Sequence, residues 1–225
     1  FPARWPASMP DAIQLYSQNT PNGKKVSICL EEMGLTYEPH LIRIGKNDQF
    51  DPEYLKINPN GKIPSIIDPN GPEGEPLMLM ESIVILEYLA DKTGMLFPRT
   101  YRARLEARQW LVFQAAHIGP MLGQFGHFFF TMKDKLTDPY PKERYTKEAL
   151  RLLEVLNNRL KDRKYLMGDY SIVDIATAPW VEGLETTYRA SAYLNLSSFE
   201  HLQAWLERVT SRPAYIIGKD VNKPT

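Results

Sequence analysis

The sequence predicts an α/β domain of order βαβ–ββα followed by an all-helical domain. In residues 11–92, short apolar stretches bounded by turn residues alternate with helical patterns, which is typical of a mixed sheet covered by helices. In residues 101–217 the apolar side chains recur at helical spacing. Residues 93–100 separate the two patterns and carry Gly94 and Pro98, so we expect them to form the linker.

The first predicted unit is a strand, a helix and a second strand. Ile13 and Leu15 alternate with polar neighbours, as in a half-buried strand. A helix is predicted over residues 22–33, because Gly34 suits the position that follows a helix. Residues 37–44 look extended. Strands joined through a helix run parallel, so we expect a right-handed crossover.

A hairpin and a helix follow. Residues 65–68 and 77–80 are predicted as strands joined by a loop rich in glycine and proline, which makes them antiparallel. Ser82 is predicted to cap a helix over residues 82–92, since serine suits an N-cap. Residues 1–10, which contain three prolines, are interpreted as an N-terminal tail.

The second half is predicted to be helical from residue 101 to residue 217, with a short tail at 218–225. Gly119-Pro120 should bend or interrupt the first long helix, because proline removes a hydrogen-bond donor. Ser171 and Asp174 have the spacing of a capping box, in which each side chain bonds the backbone of the other residue.

Composition excludes several classes of function. The chain has 27 basic and 27 acidic residues, a balance that favours neither nucleic acid nor an anionic membrane as partner. One cysteine in 225 residues excludes an internal disulfide framework and suits a reducing compartment. No apolar run approaches the ~18 residues of a membrane span, and residues 1–10 lack the core of a signal peptide.

The run Asn58-Pro59-Asn60-Gly61-Lys62-Ile63-Pro64 combines a tight turn with a proline between apolar residues. The bond before proline is the one that adopts the cis form at small cost, so we expect a cis turn at Ile63-Pro64. Such a turn leaves the backbone N–H and C=O of Ile63 available. A peptide ligand could pair with them as with the edge of a strand.

Glu81-Ser82 comes directly before an apolar helical pattern. The first N–H groups of a helix lack partners and attract anions. The sequence therefore places a carboxylate and an anion site seventeen residues after the proline turn.

This combination resembles the glutathione site of the glutathione transferases, whose first domain is thioredoxin-like with a cis-proline turn. Glutathione would offer its cysteinyl backbone to Ile63, its α-amino group to Glu81 and its α-carboxylate to Ser82. An ordinary turn followed by an ordinary capped helix is the alternative interpretation of either motif alone.

Two further sequence runs resemble particular groups within this family. Asn19-Thr20-Pro21-Asn22-Gly23-Lys24-Lys25 is similar to the Thr-Pro-Asn signature of bacterial Nu-class transferases and of fungal proteins that resemble the yeast nitrogen-catabolite regulator. Gly119-Pro120-Met121-Leu122-Gly123-Gln124 is similar to a Gly-Pro-Met run in the same groups. The capping box at Ser171 matches a folding element of the helical domain of these transferases.

The resemblance implies a set of site residues. Thr20 and Asn22 would lie around the glutathione sulfur as the catalytic groups, and both are donors at the start of a helix, where a thiolate is stabilised. The remaining glutathione contacts would be Gln49, Lys62, Ile63, Glu81 and Ser82, with Arg144 as a basic contact to a second glutathione.

The second-substrate pocket is expected at Gln124, His127 and Phe128. Here the sequence departs from its relatives, because Gln124 is followed by Phe125-Gly126-His127-Phe128-Phe129-Phe130. This run would make the pocket more aromatic, although at least half of these phenylalanines are expected to pack in the core. His117 and His127 have no ligand-like partners, so no metal site is expected.

Cys29 has two interpretations. Some transferase classes use a catalytic cysteine at the start of a helix, but Cys29 lies two turns inside one, between Ile28 and Leu30. A buried structural thiol is the favoured interpretation and a redox role is the alternative.

The implied protein is a cytoplasmic, homodimeric, glutathione-dependent enzyme that reduces small or mixed disulfides. Bound glutathione thiolate would be the nucleophile, and conjugation of electrophiles or peroxide reduction could use the same thiolate. The alternative is a ligand-binding or regulatory protein that keeps the fold without catalysis.

Overall fold

The computed structural model describes residues 11–224, so the predicted tail at residues 1–10 lies outside the described residues. The chain forms two compact units. The first unit ends at Met95 and includes the chain again from Arg212 onward, and the second unit is Leu96–Ser211.

The first unit contains a four-stranded sheet. Its strands are β1 (Ile13–Ser17), β2 (Tyr37–Leu41), β3 (Ser65–Asp68) and β4 (Leu77–Met80). Their order is β2-β1-β3-β4, with β1 parallel to β2 and antiparallel to β3, and with β3 antiparallel to β4. The predicted parallel crossover and hairpin are therefore confirmed.

Three α-helices lie within residues 11–95. They are α1 (Pro21–Glu32), α2 (Pro52–Leu55) and α3 (Ser82–Thr93). α1 packs against α3. Their facing side chains, such as Val26 and Leu86, are fully buried with Leu15 of β1. The βαβ–ββα order and the thioredoxin-like fold are thus confirmed.

The second unit is helical. Its helices are α4 (Tyr101–Phe113), α5 (Gly119–Gly126), α6 (Tyr140–Leu160), α7 (Ile172–Thr186) and α8 (Glu200–Thr210). Wider π-type turns at Gln114–Ile118 and His127–Thr131 flank α5. The predicted interruption near Gly119-Pro120 is confirmed, because Pro120 lies in the first turn of α5. Within residues 11–224, every helix falls short of the length or hydropathy that a bilayer span requires.

Asp174 organises the second unit. Its carboxylate accepts hydrogen bonds from the backbone N–H groups of Leu166 (2.9 Å) and Ser171 (3.0 Å), from Ser171 Oγ (3.2 Å), and from Trp205 Nε1 (2.8 Å). The Ser171 hydroxyl accepts from Val173 N–H, and both reciprocal bonds of the predicted capping box between Ser171 and Asp174 are present, which confirms it. This carboxylate joins α7, α8 and the loop before α7.

The C-terminal segment belongs to the first unit, whereas the sequence predicted helical domain up to residue 217 and a tail beyond it. A ninth helix, α9 (Pro213–Gly218), packs on α1. Arg212 forms a two-pronged ion pair with Glu32 at 2.6 and 2.8 Å, and Ser27 Oγ donates to the carbonyl of Gly218 at 2.7 Å. A Cβ atom on Gly218 would lie 2.6 Å from the Cα of Ile28, so glycine permits this close packing.

Candidate active site

A cavity of about 190 Å³ opens in the first unit. The N-terminal ends of α1 and α3 and the proline turn supply its walls. The residues that line it are Asn22, Asn58, Asn60, Lys62, Ile63, Pro64, Glu81 and Ser82. The fold thus brings together five of the predicted site residues: Asn22, Lys62, Ile63, Glu81 and Ser82.

Side-chain hydrogen bonds hold the proline turn in place. The Ile63-Pro64 peptide bond is cis, as predicted. The carbonyl of Lys62 accepts hydrogen bonds from Tyr54 OH at 2.6 Å and from Asn58 Nδ2 at 2.8 Å. Among residues 11–224, no group bonds the backbone N–H or C=O of Ile63. The turn therefore offers one donor and one acceptor beside the cavity.

The start of α1 supplies polar groups. Thr20 is the N-cap, and its hydroxyl oxygen accepts from the N–H of Gly23 at 3.3 Å. Asn22 lies in the first helical turn and lines the cavity, whereas Thr20 is outside the lining. A Cβ atom on Gly23 would lie 1.9 Å from the carbonyl oxygen of Gln18, so this turn requires glycine. Asn22 is therefore the residue of α1 that lines this cavity.

The start of α3 differs from the prediction. Ser82 is the first helical residue, and Glu81 occupies the N-cap position with φ 67° and ψ 108°. The prediction that Ser82 is the N-cap of α3 is therefore wrong. A positive φ is costly for a residue other than glycine, and such strain accumulates at functional sites. This backbone conformation leaves the Glu81 side chain exposed at the cavity wall and the Ser82 hydroxyl buried at its base.

Lys25 lies beneath the cavity. Its side chain extends from α1, where it is 2% exposed, and Nζ donates to Ser82 Oγ at 3.2 Å. Burial lowers the pKa of the Lys25 ammonium to about 7, and the nearby Glu81 carboxylate opposes this shift. A basic group with a pKa near neutrality therefore contacts Ser82, which lines the cavity.

Gln49 is close to the cavity without lining it. It lies in the short 3₁₀ turn Asp48–Phe50, and its carbonyl oxygen is 3.5 Å from the position a Cβ on Gly61 would take. Among residues 11–224, no donor bonds its buried Oε1 atom. Buried acceptors are normally paired, so an Oε1 atom without a donor is unusual.

Arg144 lies in the second unit, on α6, and lines a separate cavity of about 660 Å³. Lys147 and Arg151 add two more basic side chains to that wall. Arg151 is held by Glu148 at 2.7 and 2.9 Å. Glu143 and Glu148 also line the cavity, so its lining has three basic and two acidic side chains.

The predicted second-substrate residues do not line the Arg144 cavity. Gln124 and His127 are exposed. Phe128 stacks on Tyr145 with ring centres 5.4 Å apart and lines a smaller cavity of about 160 Å³. Of the four phenylalanines in this run, only Phe125 is fully buried, so fewer of them are buried in the core than the predicted half.

Cys29 is fully buried inside α1, and its thiol donates to Met33 Sδ at 3.8 Å. Burial raises the pKa of the Cys29 thiol, with a smaller contribution from Glu32. A thiol in this position is neutral and inaccessible, as the structural interpretation expects.

The described part of the chain contains no cluster of side chains that could bind a metal ion. Within residues 11–224, no three His, Cys, Asp or Glu side chains are placed to hold an ion.

Two residues at the cavity, Lys25 and Asn58, were not among the predicted site residues. Lys25 follows Asn22 by three positions and so shares its helix face, which was a usable signal. Asn58 bonds the carbonyl of Lys62 from within the turn itself. Asn58 also lines the cavity, whereas Lys25 contacts the lining residue Ser82, a position that periodicity alone does not reveal.

Comparison with protein families gives two matches. The model described as glutathione S-transferase, N-terminal domain, matches residues 20–92. The model described as glutathione S-transferase, C-terminal domain, matches residues 119–213.

Two relatives come from Escherichia coli strain K12. The chain is 45% identical to the disulfide-bond oxidoreductase YfcG over 204 residues, which cover 90% of this chain and 92% of the relative. It is 41% identical to the disulfide-bond oxidoreductase YghU over 221 residues, which cover 94% of this chain and 75% of that relative.

Solved structures agree over nearly the whole chain. A glutathione transferase from Burkholderia graminis, with two glutathione molecules bound per subunit, superposes with a TM-score of 0.95 at 52% identity, covering 96% of this chain and 91% of that one. A glutathione transferase from Pseudomonas putida, with one glutathione disulfide bound per subunit, gives 0.94 at 46% identity and covers 96% and 94%. The chain belongs to the glutathione S-transferase family.

Proposed function

We propose that this protein is a glutathione-dependent enzyme that reduces small or mixed disulfides, with the thiolate of bound glutathione as the nucleophile. One observation carries the proposal. A single cavity combines two helix N-termini, a carboxylate and an unpaired strand-like peptide edge, while the chain's one cysteine is buried away from it.

Each part of glutathione has a chemical partner in this cavity. The α-ammonium group pairs with the Glu81 carboxylate, and the α-carboxylate accepts from Ser82 and the first N–H groups of α3. The cysteinyl N–H and C=O pair with the backbone of Ile63, as in an added strand. Lys62 and Gln49 contact the glycyl end.

Asn22 and Thr20 act on the sulfur. Asn22 offers an amide donor in the first turn of α1, and the helix dipole adds a favourable potential for an anion. The Thr20 oxygen accepts from Gly23 N–H, which leaves the hydroxyl proton for a donor role. Donors that favour the thiolate lower the pKa of the glutathione thiol, so more of it is reactive at neutral pH.

The reaction is two thiol–disulfide exchanges. The bound thiolate attacks one sulfur of the substrate, the S–S bond breaks, and the other sulfur leaves as a thiolate that takes a proton. A second glutathione thiolate then attacks the mixed disulfide, releasing the second thiol and forming glutathione disulfide. Two glutathione molecules are oxidised and one disulfide is reduced.

Arg144 is proposed as a basic contact to the second glutathione, because it shares its cavity with Lys147 and Arg151. Gln124, His127 and Phe128 are proposed as contacts to the disulfide substrate. The names of the two relatives from Escherichia coli and the glutathione ligands of the solved relatives support glutathione-dependent disulfide reduction as the activity. The same thiolate could serve weaker conjugation or peroxide reduction.

The protein is further proposed to be a homodimer in the cytoplasm. In the first unit, Met78 and Val84 are 56% and 48% exposed, and in the second unit Tyr101 and Val112 are 74% and 61% exposed. Exposed apolar surface of this kind favours a partner copy. The single, buried Cys29 suits a reducing compartment.

The test is glutathione-dependent reduction of hydroxyethyl disulfide across a pH range. Asn22→Ala should raise the pKa of bound glutathione and lower turnover at neutral pH about tenfold, the effect of one lost donor to an anion. Cys29→Ala should keep the wild-type profile, because this thiol only fills the core.

Glutathione-affinity binding of both variants and their thiolate absorbance serve as controls. An inactive Cys29→Ala enzyme beside a normal Asn22→Ala enzyme would place the nucleophile on the protein. A wild-type protein that binds glutathione but reduces no disulfide would instead support the ligand-binding alternative.

A further inference from the structure

Lys25 is a buried lysine, and lysines are seldom buried without a specific partner. Its ammonium group contacts Ser82 Oγ at 3.2 Å, and Ser82 lines the cavity with Glu81. The side chain therefore connects the interior of α1 to the residue that begins α3.

We propose that Lys25 is a positioning residue for the α-carboxylate of glutathione: its ammonium holds the Ser82 hydroxyl with the proton directed to the ligand, and its positive charge compensates the bound anion. This inference rests on the proposed function, because the γ-glutamyl end of glutathione is the ligand concerned.

The donor and the acceptor of each hydrogen bond in this arrangement are fixed by the chemistry of the groups. An ammonium group has donors only, so in its bond with Lys25 the Ser82 oxygen is the acceptor. A hydroxyl has one proton to donate, and among residues 11–224 no acceptor receives that of Ser82. A carboxylate has acceptors only. The chain from Lys25 through Ser82 to a carboxylate therefore satisfies each member.

The charged groups around Lys25 come from three helices. Glu81, before α3, is the carboxylate whose field acts on the Lys25 ammonium. α9 faces α1 through the carbonyl of Gly218. Its Arg212 is paired with Glu32, seven residues along α1 from Lys25, or about 10 Å at 1.5 Å per residue. A ligand carboxylate bonded to Ser82 would therefore bring a further negative charge close to Lys25.

Binding should change the protonation of Lys25. Burial lowers its pKa to about 7, so near pH 8 most of the protein without ligand holds a neutral amine. A carboxylate bonded to Ser82 would lie about 6 Å from Nζ, from two hydrogen-bond lengths. Its charge favours the ammonium, so we expect ligand binding at pH 8 to take up protons at Lys25.

The experiment is titration calorimetry with S-methylglutathione, which has no thiol to ionise, in two pH 8 buffers of different ionisation enthalpy. If the pKa of Lys25 rises to about 8 in the complex, the wild type takes up roughly 0.4 proton per ligand at this residue. Lys25→Met should bind at least tenfold more weakly and lose that uptake.

Lys25→Arg should bind within about threefold of the wild type and also lose the uptake, because arginine stays charged. Uptake that persists in Lys25→Arg belongs to the ligand amine and is subtracted. Lys24→Met is the matched control, since it makes the same change at the next residue. It should leave affinity and proton uptake unchanged.

The possible results distinguish a failure of the proposed function from a failure of the role proposed for Lys25. A wild type that does not bind S-methylglutathione would remove the proposed function itself. A wild type that binds it without proton uptake, or a folded Lys25→Met that keeps wild-type affinity and uptake, would overturn the role of Lys25 alone. If Lys25→Met fails to fold by circular dichroism, the wild type and Lys25→Arg decide the question through their difference in proton uptake.

Discussion

Replacing Asp174 by alanine should destabilise the second unit by about 5 kcal/mol. Four donors bond this carboxylate, and each buried donor left without an acceptor costs about 1–3 kcal/mol. Removing the buried charge offsets part of the loss. Burial raises the Asp174 pKa from 3.8 to about 6, equivalent to about 3 kcal/mol at 1.36 kcal/mol per pH unit.

The same shift gives a pH dependence with a defined sign. The pKa of Asp174 is higher in the folded state than in the unfolded chain, so between about pH 4 and 6 the folded state binds more protons. The contribution of Asp174 to stability therefore falls as the pH rises through this window. Asp174→Asn has no such titration, so its deficit relative to the wild type should shrink between pH 4 and pH 7.

Urea unfolding followed by tryptophan fluorescence measures both effects, because Trp205 donates directly to Asp174. Asp162→Ala, at an exposed aspartate in the same unit, is the matched control and should leave the midpoint nearly unchanged. Equal midpoints for Asp174→Ala and Asp162→Ala, at an unchanged slope, would refute the reasoning.

Two further predictions concern binding and assembly. Glu81→Ala should weaken glutathione binding by roughly ten- to a hundredfold, because one charge-assisted hydrogen bond is lost, whereas the control Glu75→Ala should not weaken it. If calorimetry gave equal affinities for Glu81→Ala and the wild type, glutathione would bind elsewhere. Sedimentation at micromolar concentration should show about twice the 25.9 kDa chain mass, and Val84→Lys should shift the protein toward monomer; a wild-type species at the single-chain mass would contradict the dimer.

The sequence identified features that depend on neighbouring residues. The cis bond at Ile63-Pro64 and the Ser171 capping box each follow from chemistry within a few positions. Both strands of the β3–β4 hairpin also have the predicted bounds, because turn residues delimit them on each side.

Features set by contacts between distant segments could not be found in this way. Residue type suggests an exposed Lys25, and its burial depends on how α1 packs against α3. The N-cap role expected for Ser82 falls to Glu81 because the chain adopts a positive φ there, which propensity does not anticipate. The cavity around Arg144 depends on side chains from α5 and α6 together.

The return of the chain from Arg212 onward to the first unit bears on synthesis at the ribosome. The Glu32–Arg212 pair joins segments that lie 180 residues apart in the chain, and α1 and α9 make contact across a similar separation. At about 5–20 residues per second, the 116 residues between Met95 and Arg212 take roughly 6–23 s to synthesise. For that interval the α1 surface around Ile28 lacks its cover. We therefore expect nascent chains stalled before Arg212 to expose this surface to chaperones and proteases.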